Sequence, residues 1–459
     1  MTSMPRLTAA RRAIPLFVIV AIAAACGQAS PSAAPTGSAP TGSSAPSSGP
    51  SGSPAAQVTC PVEPVASPAP VAQASPDPAD DPNAARYAEI EGQVSAIRGL
   101  TLKSPVQRAT FTREELGKFI AESFARDNPE SLVKGNEAML KGLLLMPQDQ
   151  SLRDLYVEML TSQVAGLYDD TTKKMYVVTD TGVIGPTEEI TYAHEYTHAL
   201  QDHAFTLRSL TGGSIDQGDR TLARTALIEG DATLLMSLWA QRNLTPAELQ
   251  QAVGASDPAD QALLDALPAI LRETLLFPYL SGLTMNLGAF TSGGGYGGVD
   301  NLFANPPDST EQVLHPDKLN PREAPVPVAI DAGRIGQLGD GWCVALQDTL
   351  GEFQLGVMLG DASGADKSTA DAAAAGWGGD RVALVQGPNG ASAVVLDTAW
   401  DTDADATAYN AALAGMVGKL QAAGRSASAL MPAPNRVVLI SADSDDTLGK
   451  LANALGLAG

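Results

Sequence analysis

The chain has 459 residues, a length that predicts two or three domains and excludes a single small core. Apolar residues make up 44% and charged residues 17%, which argues against a bundle of membrane spans and against a charge-rich disordered chain. Asp and Glu outnumber Lys and Arg by 51 to 29, and the net charge of -22 argues against a nucleic-acid partner.

The N-terminal segment is typical of an export signal. Residues 1–25 combine arginines with an apolar run over residues 13–25 that is too short to span a membrane. The run ends directly before Cys26, and this junction resembles a bacterial lipobox, which implies a lipidated Cys26 that anchors the protein to the membrane. The small residues before Cys26 also fit an ordinary signal peptidase, so a soluble secreted protein is the alternative.

Residues 26–85 are dominated by Ala, Pro, Ser, Gly and Thr, a composition that predicts a disordered linker. Helical periodicity follows, and a capping box begins at Thr112. Two short extended runs, 164–168 and 175–178, predict a β-hairpin. Periodicity and capping together predict helices over residues 87–97, 112–124, 151–163, 188–203 and 221–241.

The pattern changes again near residue 337. Beyond it, we predict helices over residues 344–358, 368–375, 404–423 and 445–455, and strands over residues 381–386, 392–400 and 436–442. The sequence therefore predicts an α+β protein: a mainly helical domain with a small β-hairpin over residues 86–336, then a two-layer α/β domain over residues 337–459. We expect the second domain to support the first structurally, because it has no obvious catalytic cluster.

His194-Glu195-Tyr196-Thr197-His198 is an H-E-x-x-H motif on a predicted helix. Histidines four residues apart lie on one helix face, so both imidazoles can reach a single Zn²⁺ at about 2 Å. Glu195 lies on the flank of that face, where its carboxylate can act as a general base toward water. A catalytic zinc needs a third protein ligand, and with only 4 His and 3 Cys in the chain we expect an acidic one.

The second long predicted helix carries Glu229-Gly230-Asp231-Ala232. Together with H-E-x-x-H, this stretch resembles the gluzincin zinc metallopeptidases, related to thermolysin, in which a second helix bears a ligand Glu, often as E-G-x-A. The resemblance implies a zincin fold, Glu229 as the third ligand of one Zn²⁺, and hydrolysis of peptide bonds in peptide or protein substrates. Gly230 is disfavoured in a helix, which indicates a close approach of another element.

Two flanking stretches widen the resemblance. Residues 163–169 and 306–316 are similar to segments of a group of uncharacterised exported bacterial proteins that carry a zincin domain. Residues 86–336 are therefore predicted to form the metallopeptidase domain. The segment before the zinc helix, residues 86–146, is also compatible with a covering prodomain.

The sequence allows more than one role for several polar residues. Zincins commonly use a His or Tyr to hydrogen-bond the oxyanion, and His315 is the predicted donor, with Tyr279 and Tyr296 as lesser candidates. His315 fits equally well as a residue that hydrogen-bonds its own loop beside Glu311. Asp231 either orients a ligand histidine or is a solvated carboxylate.

Cys60 and Cys343 are a candidate disulfide in an oxidising compartment, and free thiols or pairing between chains are the alternatives. The leading functional prediction is an exported, lipid-anchored zinc metallopeptidase with Glu195 as the general base. The rival prediction is a cell-surface scaffold lipoprotein that binds zinc but has little turnover. The intact Glu195 argues against the rival, since a degenerate site usually loses its base before its ligands.

Overall fold

The computed structural model describes residues 60, 75–76, 81–163, 166–178, 182–212, 214, 216–254 and 258–457. The predicted signal peptide, Cys26 and most of the predicted linker lie outside the described residues. Within the described part of the chain, no helix is both long and apolar enough to cross a membrane.

The first part of the fold, here called the helical region, is built mainly from helices. They are α1 (Ala84–Arg98), α2 (Arg113–Asp127), α3 (Glu130–Gly142), α4 (Leu152–Gln163), α5 (Pro186–Phe205), α6 (Leu207–Thr211), α7 (Gly218–Asn243), α8 (Pro246–Gly254), α9 (Pro258–Ala266), α10 (Ala269–Ser292), α11 (Tyr296–Ala304), α12 (Thr310–Leu314) and α13 (Pro316–Leu319). Its strands are β1 (Ser75–Pro76), β2 (Gln107–Phe111), β3 (Gly166–Asp169) and β4 (Lys174–Val178).

The second part, here called the sheet region, follows from residue 332. Its helices are α14 (Ala332–Gly336), α15 (Gly351–Ser363), α16 (Lys367–Ala374), α17 (Asp403–Ala422) and α18 (Asp445–Ala454). Its strands are β5 (Cys343–Asp348), β6 (Trp377–Gln386), β7 (Ser392–Trp400), β8 (Ser426–Ala433) and β9 (Arg436–Ala442). The chain is thus an α+β protein, as the sequence predicts.

The strands of the helical region form one small sheet in the order β1-β2-β4-β3. β3 and β4 pair antiparallel, which confirms the predicted hairpin. β2 adds to the hairpin in parallel register with β4, a pairing that no local signal indicates because the strands come from distant parts of the chain. β3 lies at the sheet edge, and this edge faces the H-E-x-x-H helix.

The sheet region is an antiparallel sheet in the order β5-β6-β7-β9-β8 with helices on both faces, so it has three layers and not the predicted two. Alternate residues of each strand point to opposite faces, as the strand period of two requires. On β6, Val382 and Leu384 pack against α15 to α17, whereas Ala383 and Val385 pack against α14 and α18. α3 of the helical region joins the first of these cores.

The predicted helix over residues 344–358 is wrong in its first half. Residues 343–348 form β5, and α15 begins at Gly351, whose φ of +75° is a left-handed conformation that favours glycine. Val344 and Leu346 are both buried but lie in the cores on opposite faces of the sheet, because a β-bulge between them shifts the register with β6. β8 was not predicted because its alternating small residues give a weak apolar signal.

Cys60 and Cys343 are joined by a disulfide with a Cα to Cα distance of 5.0 Å. The Cys60 N–H also donates to the Val344 carbonyl at 3.2 Å. Of the alternatives left open by the sequence, the structure contains the intrachain bridge, which holds residue 60 against the first strand of the sheet region.

Candidate metal centre

The H-E-x-x-H motif lies on α5, which runs through the interior of the helical region. The helix begins at Pro186, where a proline needs no backbone N–H partner, and Glu188 caps the start by accepting from the Gly185 N–H at 2.9 Å. Every residue from 191 to 202 is buried. The motif is therefore held on a helix surrounded by protein on all sides.

His194, His198 and Glu229, here called the ligand triad, meet at one buried point between α5 and α7. The Nε2 atoms of the two histidines are 3.0 Å apart. Glu229 Oε2 lies 3.1 Å from His194 Nε2 and 3.4 Å from His198 Nε2. The structure thus brings together the three residues that the sequence and the resemblance named as ligands.

The donor set of the ligand triad fits Zn²⁺. Ligand atoms that surround a tetrahedral zinc at about 2.0 to 2.1 Å lie about 3.3 Å from one another, close to the observed separations. Two imidazoles and one carboxylate leave a fourth position open, the composition of a catalytic rather than a structural zinc site. His194 Nδ1 is buried without a hydrogen-bond partner among the described residues, so Nε2 is the ring nitrogen that faces Glu229 and His198.

The electrostatics of the ligand triad also favour a cation. Burial lowers the pKa of His194 to about 4, which keeps this ring in the neutral form that binds metals. Burial also favours neutral His198 and Glu229, but their mutual attraction outweighs it. It raises the pKa of His198 to about 9 and lowers that of Glu229 to about 2. Glu229 thus carries the negative charge of the ligand triad.

Glu195 lies beside the ligand triad. Its Oε2 accepts from the Tyr168 N–H on the edge strand β3 at 2.7 Å, and its Oε1 is buried with no hydrogen-bond partner in the part of the chain that the structure describes. Burial raises the pKa of Glu195 to about 8, with a further contribution from the charge of Glu229, whereas the charge of His198 opposes the rise. One carboxylate oxygen is therefore fixed by β3 and the other is free to contact a water.

A chain of buried hydrogen bonds orients His198. Gln201 Oε1 lies 2.9 Å from His198 Nδ1, so the ring donates its Nδ1 proton there while Nε2 faces His194 and Glu229. Gln201 Nε2 in turn donates to Asp231 Oδ2 at 2.9 Å. Asp231 Oδ2 is also 3.0 Å from Arg98 Nε, and both side chains are fully buried. Asp231 thus orients a ligand histidine and is not a solvated carboxylate.

The sequence analysis missed Gln201 and Arg98. Gln201 had a local signal, because it is three residues from His198 on the same helix. Arg98 had none, since it reaches the site from α1, far away in sequence. Its guanidinium also lies 4.6 Å from the ring centroid of Tyr296 and 2.8 Å from Asp300. Tyr296 therefore packs on this arginine at the start of α11.

We expect Asp231→Asn to weaken zinc binding by about 10- to 100-fold, because the Gln201 amide loses the carboxylate that orients it toward His198. Competition with a fluorescent zinc chelator measures this affinity. Asp300→Asn is the matched control, since Asp300 contacts the same arginine but not Gln201. Equal affinities for Asp231→Asn and the parent chain would show that this hydrogen-bonded chain does not orient the ligand.

The position of Glu229 depends on a close crossing of α7 and α10. A Cβ on Gly230 would lie 2.2 Å from the carbonyl carbon and oxygen of Gly282, so both helices need glycine at this point. Asn286 Nδ2 donates to the Gly282 carbonyl at 2.9 Å and to the Leu227 carbonyl at 3.1 Å. The expected close approach at Gly230 is therefore made by α10.

α10 also places a tyrosine at the ligand triad. The Tyr279 hydroxyl hydrogen-bonds Glu229, and its ring centroid is 6.3 Å from that of His194. Burial, with the nearby charges of Glu229 and Glu195, raises the pKa of Tyr279 well above its ordinary value. The phenol therefore keeps its proton and is a hydrogen-bond donor at the metal position.

His315 lies at the junction between the helical and sheet regions, and its described contacts do not reach the ligand triad. Its Nε2 is 2.8 Å from Glu352 Oε1 on α15. In the same stretch, the Thr310 hydroxyl donates to Asp219 on α7 at 2.5 Å and accepts from the Phe353 N–H on α15 at 3.3 Å. Residues 306–316, which the sequence analysis singled out, thus connect the two regions.

A second acidic cluster close to His315 contains a lysine. Glu311, Glu323 and Asp401 face one another, and Lys318 Nζ lies 2.6, 3.2 and 2.7 Å from them, respectively. Because the ammonium group already neutralises these carboxylates, the cluster is an ion-pair network that joins α12 and α13 to the sheet region.

The ion pair between His315 and Glu352 makes stability depend on pH. The hydrogen bond to Glu352 raises the pKa of His315, and the charges of Glu352 and Glu311 raise it further. Burial opposes the rise. A pKa raised in the folded state stabilises the fold below pH about 6.5, the ordinary His value, and this stabilisation is lost as pH rises through the raised pKa. We expect less than about 1 kcal/mol, because 40% of the side chain is exposed.

Urea unfolding of the parent chain and of His315→Gln at pH 6.0 and 8.5 measures this contribution. The parent should lose more stability than the variant between these two values. An identical loss in both chains would exclude His315 as its source.

Comparison with known proteins covers part of the sheet region. A family described as a domain of unknown function (DUF8575) matches residues 344–448. Neither the curated proteins nor the solved structures give a significant match to the chain. The matched residues run from β5 into α18 and do not include the ligand triad.

Proposed function

We propose that this protein is a zinc-dependent metallopeptidase. The observation that carries the proposal is the buried ligand triad of His194, His198 and Glu229 next to Glu195, whose Oε1 has no hydrogen-bond partner among the described residues. Two imidazoles, a carboxylate ligand and a separate free carboxylate are the parts that hydrolysis at a zinc site requires. The peptide bond as the target comes from the resemblance of the E-G-x-A stretch to gluzincins.

The ligand triad would hold the ion, which when bound supplies Lewis acidity that polarises a carbonyl and lowers the pKa of water. Glu195 accepts a proton from the attacking water through its free Oε1 and transfers it to the leaving amine nitrogen. The β3 edge keeps this carboxylate in place through the Tyr168 N–H. Tyr279 donates its phenolic proton in a hydrogen bond to the carbonyl oxygen as that oxygen gains negative charge.

The role of Tyr279 gives a specific expectation. Tyr279→Phe should lower kcat by about 10²-fold, because the developing oxyanion loses one fixed donor, and should change KM much less. Steady-state kinetics on a cleaved peptide give both parameters. His315→Phe is the comparison that separates the two candidates for this role: a loss of kcat in His315→Phe but not in Tyr279→Phe would assign the oxyanion donor to His315.

The test of the proposed function is hydrolysis of a complex peptide mixture by the full chain, read by mass spectrometry. We expect cleavage that is lost after dipicolinic acid removes the metal and that returns with one equivalent of Zn²⁺. A chain that binds zinc and cleaves no peptide would contradict the proposal and favour the scaffold lipoprotein.

We further propose that the protein acts outside the cytoplasm, anchored to the membrane through lipidated Cys26. The disulfide between Cys60 and Cys343 supports this location, since such bridges persist in oxidising compartments. Cys26→Ser should move the protein from the membrane fraction to the soluble exported fraction. If the distribution is unchanged, a lipid on Cys26 is not the anchor.

A further inference from the structure

A cavity of about 480 Å³ adjoins the ligand triad and is lined by both Glu229 and Tyr279. One face of α7 forms one wall, through Gly218, Thr221, Leu222, Thr225 and Glu229. Except for the adjacent pair Thr221 and Leu222, successive residues of this set are separated by three or four positions, as expected for a single helix face. The cavity therefore runs along the N-terminal half of α7 and ends at a metal ligand.

The length of this wall sets the length of the cavity. With a rise of about 1.5 Å per residue, Gly218 lies about 16 Å from Glu229 along the axis of α7. An extended peptide spans about 3.3 to 3.6 Å per residue. The cavity can therefore hold about four or five extended residues beside the metal position.

The other walls are mainly apolar. They include Leu132, Val133 and Met139 on α3, Tyr156 and Met159 on α4, and Ile270 and Leu275 on α10, with the uncharged polar side chains of Asn128 and Asn136 beside them. The charged side chains among the described lining residues are Glu229 and Asp348, and none of the described lining residues is basic. An acidic substrate residue would thus find no partner within it, whereas apolar residues would be desolvated favourably.

The sheet region closes the far end. Asp348 is the last residue of β5, Leu350 lies between β5 and α15, and Gln354 lies on α15; all three line the cavity. Asp348 Oδ1 accepts from the Gly218 N–H at the start of α7 at 2.6 Å, and Gln354 Nε2 donates to Thr274 Oγ1 on α10 at 3.0 Å. The sheet region thus has a role besides structural support, because it limits how far a ligand can extend from the metal.

We propose that this cavity is a substrate channel that takes an extended apolar segment of about four or five residues, free of acidic side chains, on one side of the cleaved bond. This assignment rests on the proposed peptidase function. Segments of this kind are buried in folded proteins. The substrates are therefore unfolded chains or apolar peptides, rather than exposed loops of folded proteins.

Thr221→Phe and Thr284→Phe form a matched pair that tests the channel. Thr221 lines it two turns from Glu229, and Thr284 is an exposed residue of α10 outside it. Three quenched peptides are compared: one with five Ala and Leu residues beside the cleaved bond, one with a single such residue, and one whose five-residue block contains two Asp. Binding of each peptide is also measured by calorimetry with Glu195→Gln in the same chains.

We expect Thr221→Phe to lower kcat/KM and affinity for the five-residue block at least tenfold, while Thr284→Phe leaves both unchanged. The single-residue peptide should be affected less than threefold, and the Asp-containing block should bind poorly to every chain. Zinc content should be equal throughout.

The binding measurements distinguish failure of the channel proposal from failure of the peptidase proposal. Suppose that the apolar block binds, that Thr221→Phe weakens this binding, and that no chain cleaves the block. The channel proposal is then supported and the peptidase proposal is contradicted. If Thr221→Phe leaves the binding or cleavage of the apolar block unchanged, or if the Asp-containing block binds equally well, the channel proposal is overturned. Weakened binding of dodecanoate but not of the peptide would assign the cavity to an acyl chain and would also overturn it.

Discussion

Glu195→Gln is expected to lower kcat/KM for a cleaved peptide by at least about 10³-fold while the protein still binds zinc. An amide has nearly the shape of a carboxylate but cannot accept a proton from water. Its carbonyl oxygen can keep the hydrogen bond from the Tyr168 N–H, so the position of the side chain should not change. The loss would therefore report the missing base and not a rearranged site.

The matched control is Glu189→Gln on the same helix. Glu189 accepts from Arg86 at 2.8 and 2.7 Å, away from the ligand triad, and its replacement should change kcat/KM by less than threefold. Steady-state kinetics and metal analysis of both variants provide the comparison. A Glu195→Gln chain that keeps a tenth or more of the parent rate would exclude Glu195 as the general base.

Gly230→Ala is expected to destabilise the fold by about 3 kcal/mol or more. The added Cβ would meet the backbone of Gly282 at 2.2 Å and Asn286 Nδ2 at 2.4 Å, so α10 would have to move away from α7. Since Glu229 and Tyr279 lie on these two helices beside the crossing, zinc affinity should fall together with the free energy of unfolding.

Gly288→Ala on α10 is the control for the same chemical change. A Cβ on Gly288 has no atom within 4 Å and the residue is exposed, so alanine should raise the free energy of unfolding by about 0.5 to 1 kcal/mol. Urea unfolding of both variants gives the two values. Equal stability of Gly230→Ala and the parent would mean that the helices do not need glycine at this crossing.

The parts of the site that the sequence could predict are those with local spacing. His194 and His198 are four residues apart on one helix, so their common face follows from helix geometry alone. Glu229 lies on another helix, and only the resemblance to gluzincins pointed to it. Arg98 reaches the site from α1 through packing, and no local pattern distinguishes it from an ordinary buried residue. Tyr279 was only a lesser candidate for the oxyanion donor, because its place beside Glu229 depends on the packing of α10.

The same reasoning explains the errors in the predicted fold. The run beginning at Cys343 is short and apolar, and such runs fit a helix or a strand until their pairing is known. It pairs with residues 382–386 of β6, and the apolar periodicity of a local segment does not predict a partner so far away in the sequence. The sequence likewise cannot show which way the loop carrying His315 faces, and the ion pair with Glu352 places this histidine at the junction between the two regions.

Titration of Zn²⁺ into the metal-free full chain, followed by calorimetry, tests whether the ligand triad binds zinc. His198→Ala removes one ligand, and His203→Ala removes an exposed histidine of the same helix. We predict one zinc per chain for the parent and for His203→Ala, and a zinc affinity at least about 10³-fold weaker for His198→Ala. A parent chain that binds no zinc, or a His198→Ala chain that binds it as tightly as the parent, would contradict the ligand triad as a zinc site.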